Sequence, residues 1–517
     1  MNHGAENINI GDWIRKWALI QPDKTAVIFD ASEISYRQLN ENVNRLTNGL
    51  QKLGIKKGDR VGVVLYNSPI FIEIYFTLAK IGAILVPINW RLSRREVEYI
   101  LNDSGTTGLI FEKEFTETIA SLRLKIPVGE KSYVCVGEDV PSWATEYDKL
   151  IENESTAEPM VQVPAGGEDP HIIMYTSGTT GVPKGAILSH RKTFFNVLNA
   201  NVYYDLSRKD IFLMPRVIFH SGGLLVSLSP TMYRGATVIL KKRFRPVEIL
   251  ETIEKYRVTI FEAPATLYKF MMEQCEIAKY DLSSLRICYT GGERVPLSIL
   301  DEYANKGITI TQLYGQTETS TITWLPAEFA KRKRGSVGVP VFHGDIRIAK
   351  KDGSDAGIGE IGEILVSGEI SMTGYWGHPE LTDGIIKDGW LYTGDLATVD
   401  EDGYLHMVDR KKDMFISGGE NVYPAEVEKV LLENPKISDV ACIGVPDEKW
   451  GETGMAFIIP REDKNLFADE IQEFCSDKLA KYKIPKYISL VDELPRNAAG
   501  KIMRYKLREL FLEGESC

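Results

Sequence analysis

Cysteine is scarce in this chain and scattered along it. The six residues, at 135, 275, 288, 442, 475 and 517, include no C-x-x-C pair, which argues against a zinc site and a disulfide framework. Seven histidines form no H-E-x-x-H pair, the spacing that puts two imidazoles on one helix face for zinc. Met1 to Ile10 lacks the basic and apolar segments of a signal peptide. The most apolar window, Leu65 to Ile88, is interrupted by Asn67, Pro69, Glu73 and Lys80, so it does not read as a membrane span. Positive charge is also short: 61 Lys and Arg face 72 Asp and Glu, a net charge of −11. A nucleic-acid binder must offset phosphates, so that class is excluded. Two local basic clusters, Lys241-Lys242-Arg243 with Arg245 and Lys331-Arg332-Lys333-Arg334, read as solvated loops. The other reading is transient contact with anionic lipid, which sets peripheral contact as the most expected of a membrane. No internal repeat or low-complexity tract is evident. A cytoplasmic location is the default that remains.

What the chain does have is length and alternation. Its 517 residues predict two to four compact units. Arg60–Tyr66 reads as a strand, and Asn67 or Ser68 is placed to cap a helix with Pro69 in its first turn. Ala83–Ile88 is the next strand, Ser93-Arg-Arg-Glu96 a capping box, and Gly108–Phe111 another strand. After a Glu-, Ser-, Pro- and Gly-rich stretch at 113–169 the pattern resumes: helix Pro246–Arg257, then strands Val258–Phe261, Leu285–Tyr289 and Ile308–Leu313. Polar or glycine-rich clusters recur just after strand ends, where an open parallel sheet forms its ligand crevice. Residues 335–408 turn to short strands and Gly- and Asp-rich turns, a small β unit. Helices over 424–434 and 469–479 with a strand at 440–444 follow, and a domain boundary falls at Asp409–Lys412.

One stretch carries chemistry on its face, Tyr175-Thr-Ser-Gly-Thr-Thr-Gly-Val-Pro-Lys-Gly185. Glycines let loop amides point inward at one spot, while hydroxyls and one cation add donors and charge. A polyphosphate is the expected guest. It is not a Walker loop, because Lys184 precedes Gly185 and Ala186 stands where the magnesium-binding hydroxyl belongs. Gly357-Ile-Gly-Glu-Ile-Gly362 matches a dinucleotide fingerprint in letters only, since it leads into a strand rather than opening a helix.

Taken with GGE (291–293), YGQTE (314–318), YTGD (392–395), DRKKD (409–413), SGGENVYPAEVE (417–428) and PRNAAGK (495–501), that stretch resembles the adenylate-forming superfamily. This group comprises acyl-CoA synthetases, peptide-synthetase adenylation domains and firefly-type luciferases, and the texture is most similar to bacterial fatty-acyl-CoA synthetases. The resemblance implies an α/β fold. A large N-terminal domain, 1–408, would hold two doubly wound α/β sheets and a small β unit. A hinge at 409–412 and a small mobile α+β domain, 413–517, would follow. It implies ATP, Mg²⁺ and coenzyme A as cofactors and a small carboxylic acid as substrate. The acid would become an acyl-adenylate with loss of pyrophosphate, and a thiol would then take the acyl group.

The same resemblance assigns roles. Thr176, Ser177, Gly178, Thr179, Thr180 and Lys184 would hold the β- and γ-phosphates. Gly292, Glu293, Tyr314, Gly315, Gln316 and Thr317 belong to the nucleotide site, with Tyr314 and Gly292 flanking adenine and Thr317 on the α-phosphate. Glu318 would bind Mg²⁺, as a hard oxygen donor should. Asp395 suits the ribose diol, with Arg410 nearby. Lys501 would bridge the attacking carboxylate and the α-phosphate, and Lys412 would be the hinge. Gly418, Gly419 and Trp450 would border CoA, although a buried core tryptophan is the rival reading of Trp450. His220, in Phe219-His-Ser-Gly-Gly223, would close over the carboxylate. Arg216, Val217 and Ile218 intervene where the family pattern has one residue, and Leu224 stands where some long-chain members have an aromatic gate. Arg216 is expected at the surface, or else reading a second polar or carboxylate group on the substrate. A fatty acid is the expected substrate. The alternatives are an aryl, alicyclic or dicarboxylic acid, or an adenylating enzyme that loads a carrier protein.

Overall fold

The computed structural model describes residues 8–176, 183–292, 295–417, 420–461, 466–476, 478–497 and 500–514. The chain forms two compact units. The first is drawn from residues up to 334, from 338–346 and from 366–391; the second from 335–337, 347–365 and residues from 392 on. Ser177, Gly178, Thr179, Thr180, Glu293, Gly418 and Gly419 lie outside the described residues.

The first unit holds two large mixed sheets, as the strand–helix alternation predicts. The nine-stranded sheet runs Val339–Pro340, Ser320–Trp324, Ile310–Gln316, Ile287–Gly291, Ile260–Glu262, Ile211–Met214, Thr237–Leu240, Thr25–Phe29, Ser32–Ser35. The pairings from Thr25–Phe29 through to Ile310–Gln316 are parallel, so those strands end on one edge of the sheet. The eight-stranded sheet is built on Arg60–Val64, Ile84–Pro87 and Gly108–Glu112, with the antiparallel hairpin Pro170–Thr176 and Lys184–Ser189 beyond them. Glycine, which sheds a Cβ, is essential at few places. Gly315 is one: a Cβ there would stand 1.8 Å from the Ser320 carbonyl oxygen.

The apolar window Leu65–Ile88 is core. Its helix, Pro69–Ile81, has thirteen residues and is buried on nearly every side, far short of the ~20 residues that span a bilayer. Its two charges are matched: Tyr147 and Asn42 donate to Glu73 at 2.5 and 2.8 Å, and Lys80 donates to Asn44 and Glu158 at 2.7 and 2.9 Å. No helix among the described residues is long and apolar enough to cross a membrane. The Ser93 capping box forms as predicted. Asn67 is no cap, however; Ser68 occupies that position without a side-chain hydrogen bond, and the Asn67 side chain faces inward instead. The basic clusters are largely paired: Lys242 with Glu112, Arg245 with Glu248, Arg334 with Asp301.

The second unit centres on the antiparallel pair Ile437–Asp447 and Gly451–Pro460. Period-two burial sends Val440 and Cys442 to one face, under helices Pro424–Leu431 and Ala468–Ser476, and Ala441, Ile443 and Val445 to the other, under Arg504–Gly514. Arg504 ties the pieces together. It bonds Glu428 at 2.7 Å and the Cys442 carbonyl at 3.1 Å and lies 3.6 Å from Asp413, all half-buried or less exposed. Removing one partner leaves uncompensated buried carboxylates. Arg504→Ala should therefore destabilise this unit by about 3–5 kcal/mol. Hydrogen exchange of the Ile437–Asp447 amides in the full chain should accelerate, and unchanged protection would refute the role.

Candidate active site

In the first unit the glycine-loop hairpin and the Tyr314–Glu318 turn meet. Thr176 and Lys184 are cross-strand partners at the loop end of the hairpin. The short strand Gly374–Tyr375 pairs onto the same hairpin, and the Tyr375 ring lies 5.5 Å from Lys184 Nζ. The Tyr375 hydroxyl donates to Glu318 Oε1 at 3.0 Å, and Thr176 Oγ1 reaches the same oxygen at 3.4 Å. Glu318 arrives from the turn that joins Ile310–Gln316 to its antiparallel return Ser320–Trp324. That turn is braced. The Gln316 amide donates to Thr319 Oγ1 at 3.2 Å and the Met372 amide to the Glu318 carbonyl at 2.6 Å. Ser320 holds φ 58°, a left-handed conformation that a non-glycine residue keeps only when its surroundings insist.

What insists is Lys192. It is 2% exposed, and its Nζ donates to Ser320 Oγ at 2.6 Å. Burial pulls its pKa down to about 7, against the attraction of Glu318. Nothing in the sequence marks Lys192, a single lysine in the helix His190–Tyr204. Tyr375 is missed for the same reason. Gly292, at φ 87°, follows the strand Ile287–Gly291 and faces open space, since a Cβ there would meet only Arg216 Nη1 within 4 Å. Tyr314, Gly315, Gln316 and Thr317 are partly exposed along the same crevice edge as Glu318.

The stretch around His220 differs from expectation. Asn67 accepts from the Ile218 amide at 3.0 Å and donates to the carbonyls of Arg216 and Lys241 at 2.9 and 3.1 Å, so it pins the extra residues before Phe219. Arg216 is not a surface arginine. Its Nε lies 2.5 Å from Glu262 Oε1, a carboxylate 2% exposed at the end of strand Ile260–Glu262, and its Nη2 donates to the Gly291 carbonyl at 3.1 Å. Burial raises the Glu262 pKa and Arg216 pulls it back. Burial, then the charges of Arg216 and Arg91, push His220 down to about 4, so the imidazole is neutral at pH 7. Gly222–Leu228 follows as a π-helix, a form that recurs at functional sites. Leu224 is fully buried within it.

The second unit carries the remaining candidates. Asp395, 3% exposed, is the cross-strand partner of Arg410, whose Nε lies 2.9 Å from Oδ1. Lys501 closes a tight turn rather than a loose loop: its amide donates to Asn497 Oδ1 at 2.9 Å and its carbonyl accepts from the Asn497 amide at 2.8 Å. The Lys501 stem is exposed, but its ammonium lies among dense protein; that desolvation, then the Arg410 charge, lowers its pKa to about 8. Lys412 sits in the turn between strands Leu405–Arg410 and Phe415–Ser417, with its pKa lowered by burial. Trp450 is 40% exposed with Lys449 over its ring, so the core reading of this tryptophan fails.

Lys192 gives a pH test. Its folded pKa lies below the unfolded value, so between about pH 7 and 10.5 the unfolded chain binds the extra proton and stability rises with pH; below 7 the full cost of a buried ammonium is felt. Lys192→Met should lose that rise. Thermal melts of both proteins from pH 6 to 10 should converge or cross with increasing pH, and parallel curves would sink the assignment.

The chain is similar to known proteins over nearly its whole length. The family of AMP-binding enzymes matches residues 14–376, and the AMP-binding enzyme C-terminal domain matches residues 426–501. The chain is 39% identical over 510 residues to a feruloyl-CoA synthase from Amycolatopsis, covering 98% of this chain and 99% of that one. It is 36% identical over 512 residues to a long-chain-fatty-acid–CoA ligase from Mycobacterium tuberculosis, covering 97% and 98%. An anthranilate CoA ligase solved with anthranoyl-AMP superposes with a TM-score of 0.91 at 30% identity, covering 98% of each chain. ATP, Mg²⁺, CoA and a small carboxylic acid are the reactants of this group. The chain belongs to the AMP-binding enzyme family, the adenylate-forming superfamily, and is an ATP-dependent acid:CoA ligase working through an acyl-adenylate.

Proposed function

We propose that the acid is a compact aryl acid, activated by the residue set below. The observation that carries the nucleotide half is the convergence of Thr176 and Tyr375 on Glu318, with Lys184 over the Tyr375 ring. Adenylyl transfer needs positioning and charge neutralisation more than covalent help. Lys184 and Thr176, with Ser177, Gly178, Thr179 and Thr180, hold the β- and γ-phosphates as the acid's carboxylate oxygen attacks the α-phosphorus and pyrophosphate leaves. Thr317 holds the α-phosphate, while Gly292, Glu293, Tyr314, Gly315 and Gln316 frame the base. Glu318 and Thr176 offer oxygen, the donor type Mg²⁺ takes. Bound there it supplies neutralisation of phosphate charge. Asp395 accepts from the ribose hydroxyls beside Arg410, and Lys501 neutralises charge between carboxylate and α-phosphate. Lys412 is the pivot on which thioester formation depends, and Gly418, Gly419 and Trp450 border CoA. The enzyme works in the cytoplasm.

For the acid, the neutral His220 imidazole closes on the carboxylate end. Tyr289, whose hydroxyl meets Ser227 of the π-helix that follows His220, packs with Tyr204, Phe212 and Trp324, their rings 4.9–6.1 Å apart. That packing supports a flat, short acyl group over a long alkyl chain. Pyrophosphate release across aryl and fatty acids, with and without CoA, tests the reading; octanoate and longer acids outpacing every aryl acid would overturn it.

Lys501→Ala should slow adenylation by roughly 10²–10³, the cost of one preorganised charge-stabilising donor, while sparing thioester formation from supplied acyl-adenylate. Because the charged form acts, kcat/KM for adenylation should fall as pH rises through about 8. Lys501→Arg should remove that alkaline limb, and an unchanged limb would refute the assignment. The Lys412 amide makes no hydrogen bond among the described residues, so Lys412→Pro restricts φ without breaking one. Adenylation should survive and CoA transfer should fail; full CoA transfer would place the pivot elsewhere.

A further inference from the structure

Burying an ion pair beside a crevice is costly unless each charge is matched, and the Arg216–Glu262 pair is matched on one side only. Glu262 Oε1 has Arg216. Glu262 Oε2 is buried and has no hydrogen-bond partner among the described residues. Three phenols feel its charge, and the hydroxyl of one, Tyr204, has no hydrogen-bond partner among the described residues, Glu262 included. Tyr289, the cross-strand neighbour of Glu262, shares its hydroxyl with Ser227 at 2.8 Å. Tyr268 donates to the carbonyls of Phe261 and Tyr289 at 3.4 and 3.2 Å. A carboxylate oxygen is an acceptor only, so the group that completes it is a donor. Glu262 itself is buried, and the pair approaches the crevice through Arg216. Arg216 Nη1 lies between Gly222, whose Cβ would stand 3.0 Å from it, and Gly292, whose Cβ would meet nothing else within 4 Å. His220, which closes on the carboxylate end in the reading above, heads the same segment, and its Nε2 is likewise without a partner.

We propose that Glu262, held by Arg216, is a specificity-determining residue that accepts a hydrogen bond from a hydroxyl on the aryl acid. The proposal rests on the aryl reading above. Of the second polar or carboxylate group expected opposite Arg216, it favours the polar one. Arg216 is neutralised by Glu262 at 2.5 Å, so an added anion would meet the Glu262 charge in a water-poor site.

The test is kcat/KM for CoA thioester formation by the full chain with cinnamate, its 2-, 3- and 4-hydroxy derivatives, 4-methoxycinnamate, 4-carboxycinnamate and octanoate. One hydroxy acid should exceed cinnamate and the methoxy acid by roughly 10- to 100-fold, the cost of leaving a buried acceptor unpaired. The carboxy acid should be the poorest aryl substrate. In Glu262→Leu the hydroxy preference should collapse to about threefold or less, and in Glu262→Gln, which keeps an acceptor, part of it should survive. Aryl acids used without regard to the hydroxyl would overturn this proposal alone. A carboxy acid in first place would do the same. Octanoate in first place, or no turnover of any acid, would overturn the aryl reading and this one with it. The wild-type panel decides even if the variants do not fold.

Discussion

A single carboxylate oxygen joins the two sheets of the first unit at the place where chemistry is expected. Glu318 hangs from the nine-stranded sheet, while the hydroxyls that reach its Oε1, from Thr176 and Tyr375, belong to the eight-stranded one. The geometry is demanding upstream. Gly315 must lack a Cβ, Ser320 must hold a left-handed φ, and Lys192 must stay buried against the Ser320 hydroxyl. Each condition costs stability taken singly, and together they leave the turn one conformation. A rigid acceptor set in advance is what charge-stabilising catalysis needs, because a group that must reorganise during the reaction contributes less.

Buried charge is handled in two ways across the first unit. Glu73 and Lys80 in the central helix are saturated with partners and serve packing. Near the crevice the matching is incomplete: His220 Nε2 and Glu262 Oε2 have no partner among the described residues. Interiors rarely tolerate such atoms without reason. Unpartnered atoms also occur in the core, at both ring nitrogens of His171 and at the Tyr133 hydroxyl among others, so position beside the crevice, not the missing partner alone, points to a guest.

The meeting of the glycine-loop hairpin with the Tyr314–Glu318 turn was legible in the sequence, and the structure brings Thr176 to Glu318 there. Glycine spacing, the hydroxyl run and Lys184 are local, and local patterns are what a sequence displays. The strand–helix alternation was legible too, since apolar periodicity reports which face is buried. The acyl end was not. Asn67 reads as a helix cap, yet it clamps Ile218, 151 positions away. Arg216 reads as solvated until Glu262 is found beside it, and Lys192 looks like any surface lysine. Side-chain pairs made across a sheet leave no spacing to detect, so tertiary structure alone reveals them.

The two halves therefore differ in how they can vary. A turn such as Tyr314–Glu318 admits little change, because a Cβ at Gly315 would stand 1.8 Å from the Ser320 carbonyl oxygen and move the chain itself. An acyl floor made from a pair such as Arg216 and Glu262 can be rewritten by one substitution on each strand end without disturbing the sheet. Relatives named for feruloyl and long-chain fatty acyl groups are similar to this chain over nearly their whole length. Overall identity at that level reports the shared nucleotide chemistry. The choice of acid has to be read from the few strand-end side chains that face the crevice, and in this chain they are polar.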